Sequence, residues 1–275
     1  MSGDLLTGAR RRLRVAGYWL LVAGPGVLFL GCGVSPLTNQ INAGEDPFVI
    51  AVGEGPDSLT DLYAAPAGGG RFVRVTFNRP EERFPRLSPD GSMVAFLRAA
   101  GGTSGPPWSL VVLSLINSSE SAASLPANAG EPERLGWTRN GAGVVLYAGS
   151  YFFAKTPPER MELRPVPADS VALADSLSRE LLGEPPQGMI LACPNGGLCV
   201  FAEGGQVTPL DSAARGAVRW SADSLGYFLP GGFEVRPLSG GRPRRPVWSG
   251  APSRVRQLTH HPGVPRTGGS PSGIR

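Results

Sequence analysis

Short apolar runs separated by turn residues recur along most of this chain. Trp108–Ile116 and Phe233–Pro237 are such runs, and Phe72–Thr76 and Gln206–Leu210 resemble them. Runs of this length, rich in β-branched and aromatic residues and bounded by Gly, Pro, Asn or Asp, are typical of β-strands. One stretch differs, because apolar residues at helical spacing over Asp169–Leu182 predict a short amphipathic helix at a sheet junction.

A pattern of anchor, turn and strand occurs three times. Each copy has a large apolar residue, then Ser or Thr, a variable residue, Asp or Asn and a small residue, and then an apolar strand. The anchors Leu87, Trp137 and Trp220 are 50 and 83 residues apart, and the second spacing is close to twice the ~42 residues of a propeller blade. A degenerate copy is therefore expected near 183–193.

The chemistry of the motif is conformational. Pro fixes φ, Asp bonds nearby backbone amides, and Gly accepts positive φ, which together make a turn. The predicted motif residues are Ser88, Pro89, Asp90, Gly91, Trp137, Asn140, Gly141, Trp220, Ser221 and Asp223.

Leu87–Gly91, followed by Val94–Phe96, resembles the WD-like repeat of the TolB-type β-propellers. Arg74–Thr76 and Arg256–Thr259 are similar to the stretch that precedes this motif in the family. The resemblance covers residues 46–262 and implies an all-β propeller of about five to six four-stranded blades. On this interpretation, Gln257–Thr259 would begin a further blade that the chain leaves incomplete. The alternative fold is a β-sandwich.

Composition agrees with many turns, since Gly and Pro number 39 and 28 of 275 residues. The net charge of +4 owes much to arginines between positions 10 and 14, so it does not indicate a nucleic-acid partner. Arg242, Arg244 and Arg245 form the nearest basic cluster, and we expect them to lie in a solvated loop.

The N-terminus has the pattern of a signal peptide. Basic residues precede the uncharged run Val15–Leu30, which is shorter than the ~20 residues of a membrane-spanning helix. Its end, Leu30-Gly31-Cys32, resembles the lipobox of bacterial lipoproteins, which implies lipid attachment at Cys32. An ordinary signal peptide or an uncleaved anchor is the alternative.

These readings divide the chain into four segments. Residues 1–31 are the expected lipoprotein signal peptide, 32–45 a flexible tether, 46–262 the propeller and 263–275 a disordered tail. Gly33 follows the lipobox cysteine, at a position where Asp would imply retention in the inner membrane. The resemblance therefore favours the outer membrane, facing the periplasm, over the inner membrane.

Cys193 and Cys199 flank Asn195-Gly196, a strong hairpin signal. A hairpin places its strands ~5 Å apart, which suits a disulfide in an oxidising compartment. Metal binding is the alternative, although two thiols without further ligands do not complete a zinc site.

The sequence predicts no catalytic residue, metal or cofactor. His260 and His261 are the only histidines, and no Gly-x-Ser-x-Gly elbow is present. We therefore expect a lipid-anchored, non-enzymatic scaffold or protein-binding module of the cell envelope. Its expected partners are the membrane, through the lipid, and an envelope protein or peptide, without nucleic acid. The alternatives are a propeller that serves a hydrolase and a degenerate propeller without a specific partner.

Replacing the lipobox cysteine tests the anchor. Cys32→Ala removes the thiol that would receive the lipid, so we expect metabolic labelling with a radioactive fatty acid to be lost. Cys199→Ala, which leaves the lipobox intact, is the control. Labelling that persists in Cys32→Ala would contradict the lipobox interpretation.

Overall fold

The computed structural model describes residues 37, 40–55, 60–77, 80–99, 107–138, 140–158, 160–167, 189–192, 198–201, 207–221, 223–237, 239–252 and 254–263. All of them belong to the unit Gly33–Arg275. The predicted signal peptide with Cys32, the predicted helix and most of the tail lie outside these residues. Within them, no helix is long and apolar enough to cross a bilayer.

The described part of the chain is all-β and forms five antiparallel sheets. Sheet 1 has the order β20 (Val255–His261), β1 (Phe48–Glu54), β2 (Thr60–Pro66) and β4 (Val73–Arg74). Sheet 2 consists of β5 (Glu82–Leu87), β6 (Met93–Ala99), β7 (Trp108–Ser114) and β8 (Glu120–Ser124). Sheet 3 consists of β9 (Arg134–Trp137), β10 (Gly143–Tyr147), β11 (Tyr151–Lys155) and β12 (Arg164–Pro165).

The two remaining sheets have three strands each. Sheet 4 consists of β13 (Met189–Ala192), β14 (Leu198–Phe201) and β15 (Val207–Asp211). Sheet 5 consists of β16 (Arg215–Ser221), β17 (Ser224–Leu229) and β18 (Gly232–Pro237). A backbone bridge from Val235 to Arg244 extends sheet 5 by one position. β3 (Gly70–Arg71) and β19 (Trp248–Ser249) form a short parallel pair.

Sheet 1 joins distant parts of the chain. β20 pairs antiparallel with β1, with Phe48 opposite His261 and Ala51 opposite Leu258. The expectation that Gln257–Thr259 begins an unfinished blade is therefore wrong. These residues supply a strand of the first sheet, because the backbone groups along one side of β1 find their partners there. Arg74, from the similar upstream stretch, lies instead in β4 at the far side of the same sheet.

Both faces of β1 are buried, which explains its unbroken apolar sequence. Phe48, Ile50 and Val52 pack with apolar side chains of sheet 2. Val49 and Ala51, which alternate with them, pack with side chains of sheet 5. Because successive side chains of a strand point to opposite faces, sheet 1 lies between sheets 2 and 5.

Sheet 2 is covered on both faces in the same way. Val94 and Phe96 of β6 face sheet 1, whereas Ala95 and Leu97 pack against sheet 3, where Trp137 is buried. The strands β16, β20, β5 and β9, called the inner strands below, are neighbours in that order. A succession of antiparallel sheets packed face to face, with their first strands side by side, is the arrangement of β-propeller blades. The predicted fold class is confirmed.

The packing begins before the predicted domain boundary. Leu37 and Ile41 lie within the expected tether 32–45, yet they are only 1% and 7% exposed and pack with Phe48. The description of this segment as a flexible tether is thus wrong at these two positions, because two apolar side chains there find places in the core.

A buried polar network joins sheets 1 and 2. The Glu82 carboxylate is fully buried, accepts a hydrogen bond from the Thr76 hydroxyl at 2.6 Å and is bonded by Arg98 Nε at 3.0 Å. The Glu82 amide donates to the Thr60 hydroxyl at 3.0 Å. Arg98 also makes a bidentate contact with Glu120 at 2.7 and 2.9 Å. Each buried polar atom named here therefore has a partner, as burial requires.

Burial raises the pKa of Glu82 from 4.5 to about 7, and this effect outweighs the hydrogen bond from Thr76 and the charge of Arg98. The folded protein therefore binds a proton at Glu82 in a pH range where the unfolded chain has released it. The stabilisation is fully present below pH 4.5 and is lost as the pH rises through about 7.

Glu82→Gln should remove this pH dependence. A shift of this size corresponds to about 3 kcal/mol. We expect the free energy of unfolding of the native protein, relative to the variant, to fall by up to that amount between pH 4.5 and 7 in urea titrations. Glu133→Gln, at an exposed position, is the control. Parallel pH curves for the native protein and Glu82→Gln would contradict the assignment.

Candidate functional site

The first copy of the repeated motif is a hydrogen-bonded turn. The buried Ser88 hydroxyl donates to Asp90 at 2.6 Å and accepts the amide of Met93 at 2.9 Å. Burial alone would raise the pKa of Asp90, but hydrogen bonds from Ser88 and Ser92 hold it below its ordinary value. Pro89 is exposed at the tip of the turn.

The second and third copies use the same chemistry with different residues. Thr138 donates to Asn140 at 2.8 Å and accepts the amide of Gly143 at 3.0 Å. Ser221 donates to Asp223 at 2.6 Å. In every copy a hydroxyl group donates a hydrogen bond to the side-chain oxygen of the residue two positions later, even where Pro or Gly is missing. These residues therefore have a local role in shaping each turn.

The anchor residues connect neighbouring sheets. The Trp137 indole donates to the carbonyl of Arg86 at 2.8 Å, linking β9 to β5. Trp220 stacks on His260 with ring centroids 4.0 Å apart and planes 10° apart, which links β16 to β20. Leu87 packs in the cluster between sheets 1 and 2.

The motif turns lie at the same ends of the inner strands and form what we call the turn face. A Cβ atom at Gly91 would lie 2.7 Å from the His261 ring, so this turn meets the end of β20 and needs glycine, which also has φ of 69°. A Cβ at Gly141 would lie 3.7 Å from Pro89, so the turns of sheets 3 and 2 are adjacent. The face is thus built from turns held by buried strands.

A cavity of about 410 Å³ opens on the turn face between sheets 5 and 1. We call it the seam pocket. Its volume lies in the ~300–1,000 Å³ range of ligand sites. Its lining includes Trp220, Ser221, Arg244, Arg245 and His260, together with Pro47, Pro246 and Pro262.

Buried Glu234 fixes one arginine of the seam pocket. Its carboxylate accepts a hydrogen bond from Tyr227 at 2.6 Å, lies 3.2 Å from Nε and Nη2 of Arg245, and lies 3.3 Å from Arg236. Burial alone would raise the pKa of Glu234. The hydrogen bonds from Tyr227 and Arg245 and the charge of Arg236 hold it below its ordinary value.

Arg244 is held through its backbone. Its amide and carbonyl pair with those of Val235 at 2.8 and 2.7 Å, while its side chain is exposed at the pocket. Within the described ranges, no carboxylate forms an ion pair with Arg244. The sequence placed Arg242, Arg244 and Arg245 in a solvated loop. All three are exposed. However, Arg244 and Arg245 line the seam pocket, and buried Glu234 holds Arg245 in place.

The two histidines have packing roles. His261 is 5% exposed, lies 5.6 Å from the Phe48 ring and accepts the amide of Gly263 through Nδ1 at 3.2 Å. His260 forms the stacked pair with Trp220. The side chains of the described segments contain no group of three or more His, Cys, Asp or Glu that could hold a metal ion.

The predicted cysteine sites are only partly described. Cys199 lies in β14, opposite Leu191 of β13, and is 2% exposed. β13 and β14 pair antiparallel, whereas Asn195-Gly196 lies outside the described residues. Cys193 and Cys32 lie outside the described residues, so the disulfide and the lipid attachment stay predictions.

A second cavity, of about 670 Å³, lies between β8 and a segment made of Pro158 and residues 160–163. It is larger than the seam pocket, but its charged side chains compensate one another, since Arg160 lies 4.0 Å from Glu162. The seam pocket is therefore the stronger candidate, because it combines stacked aromatic rings with an arginine that has no carboxylate partner in the described chain.

The strand order defines the chain as a β-propeller protein. Solved structures similar to it include TolB from Acinetobacter baumannii, at 14% identity and a TM-score of 0.37, covering 76% of this chain and 54% of that one. A TolB-assigned protein from Agrobacterium tumefaciens has 11% identity and a TM-score of 0.35, covering 79% and 74%. The β-propeller domain of the Trilobed protease from Pyrococcus furiosus is 12% identical with a TM-score of 0.32, and the match covers 72% of this chain and 64% of that one.

This chain thus spans about half the length of the Acinetobacter protein. No protein-family model and no curated protein matches the sequence. The fold assignment rests on the strand order of the chain itself.

Proposed function

We propose that this protein is a lipid-anchored β-propeller of the cell envelope that acts as a non-enzymatic binding or scaffold module for another protein. The observation that carries the proposal is the seam pocket, a preformed cavity on the turn face. Loops held by a rigid scaffold are the parts of a fold that most often carry binding.

The pocket is supported from both of its sheets. Trp220 of sheet 5 stacks on His260 of sheet 1 with ring centroids 4.0 Å apart, and the indole of Trp248 donates to the carbonyl of Pro66 at 2.9 Å, so sheet 5 and the segment after it are attached to sheet 1. A partner can therefore bind without ordering this part of the surface first, and the entropic cost of association is lower.

The sequence supports the location. A lipid on Cys32 would tether the propeller to a membrane, on the outer-membrane side of the periplasm in the interpretation favoured above. The partner would then be an envelope protein or peptide that reaches the turn face.

The alternative is a propeller that serves a hydrolase. Ser221 and His260 both line the seam pocket, which is the observation in its favour. The Ser221 hydroxyl, however, donates to Asp223 in the turn geometry that Ser88 and Thr138 repeat in the other sheets. Its position is therefore explained by the turn, and we favour binding.

Crosslinking in cells tests the proposal. A photo-reactive amino acid at Val247, which is 81% exposed and follows the pocket residue Pro246, should form a discrete adduct with an envelope protein. The same group at Ser124, exposed on β8, is the control and should give none. Equal adduct patterns at both positions, or none at Val247, would contradict a binding role for the turn face.

A further inference from the structure

Two arginines, Arg244 and Arg245, line the seam pocket. Buried Glu234 pairs with Arg245 and also with Arg236. Asp223 lies next to the pocket through its bond with Ser221. Arg245 thus has a carboxylate partner, whereas Arg244 has none among the described residues.

The lining cation without a carboxylate partner in the described chain is Arg244. Its backbone bonds to Val235 fix where the side chain begins, and Glu234 is already occupied by Tyr227, Arg236 and Arg245. A guanidinium with a fixed origin and free donors matches a carboxylate, which it binds through two parallel hydrogen bonds.

Much of the remaining lining of the pocket is apolar. The stacked rings of Trp220 and His260 line it, and Pro47, Pro246 and Pro262 also contribute to its lining. Proline has no amide proton, so these three residues offer flat apolar surface and carbonyl oxygens but no backbone donor. A ligand that suits this surface carries an apolar group beside its carboxylate.

We propose that the seam pocket binds an acidic peptide segment of the partner protein, with Arg244 contacting a carboxylate and the Trp220–His260 pair contacting a neighbouring apolar side chain. This inference rests on the proposed function, because it takes the occupant to be part of a protein. The exposed side chain of Val247 extends the apolar surface beyond the pocket, as an extended peptide would require.

Selection from a displayed library of random linear twelve-residue peptides tests the inference. The full chain is used in detergent micelles, and the strongest selected peptide is then synthesised and its Kd measured by fluorescence anisotropy. We expect enrichment of Asp and Glu next to an apolar residue. Arg244→Gln should weaken binding at least tenfold, the effect of about 1.4 kcal/mol from a lost charge-assisted contact.

The matched control is Arg160→Gln, a 91% exposed arginine beside the second cavity; its Kd should stay within twofold of the native value. Arg244→Lys keeps the charge but loses the planar fork, so it should bind with intermediate affinity. Far-ultraviolet circular dichroism and thermal unfolding of each variant separate lost binding from lost folding.

The outcomes distinguish this inference from the proposed function. Selected peptides that lack acidic residues, or that bind Arg244→Gln as tightly as the native chain, would overturn the acidic-peptide assignment but leave a binding module. Absence of any selected peptide would count against both. Arg244-dependent binding of inorganic phosphate or of phosphatidylglycerol vesicles, without peptide binding, would also overturn the inference and indicate a phosphate ligand instead.

Discussion

Seven residues near the C-terminus complete a sheet that begins at Phe48. The pairing of β20 with β1 satisfies backbone groups along a strand that is buried on both faces, where each unpaired group would cost about 1–3 kcal/mol. Other contacts depend on this pairing. The Gln257 side chain of β20 accepts the amide of Phe84 in β5, and His261 closes over Gly91. The alignment of sheets 5, 1 and 2 therefore depends on one long-range strand pair.

The same pairing creates the candidate site. His260 belongs to β20 and Trp220 to β16, so their stacked rings exist only when the last strand lies beside sheet 5. Two buried carboxylates, those of Glu234 and Glu82, then fix arginine side chains on these sheets. Glu234 holds Arg245 at the pocket, whereas Glu82 ties sheet 1 to sheet 2 at some cost, since burial disfavours its charged form. Strand packing therefore positions the seam pocket, and the buried Glu234 carboxylate orients Arg245 within it.

Local signals made the strands and turns predictable. The Ser88–Gly91 turn, Trp108–Ser114 and the β13 strand near the expected fourth copy could be read from residue type and spacing, because those depend on neighbours in sequence. The place of β20 could not be read in this way. Gln257–Thr259 resembles the stretch that precedes the motif in the repeat. Its position in the fold is determined instead by pairing with β1, which lies some 200 residues earlier in the sequence.

The site was harder to predict for the same reason. Arg244 and Arg245 look like a solvated basic loop until Val235 and Glu234 are known to lie beside them. One signal was present in the sequence: Glu234 lies between Phe233 and Val235, two residues with the character of a core strand. A charge inside such a run indicates a buried ion pair, and the nearest cations that follow it are arginines.

Truncation at the C-terminus tests the central claim most directly. The measurement is urea unfolding, followed by tryptophan fluorescence, of the full chain and of two shortened chains. One ends at Gly263 and keeps β20, and the other ends at Arg254 and lacks it. We expect the chain ending at Gly263 to unfold like the full chain and the chain ending at Arg254 to lose its cooperative transition. Equal unfolding midpoints for both shortened chains would show that sheet 1 does not depend on β20.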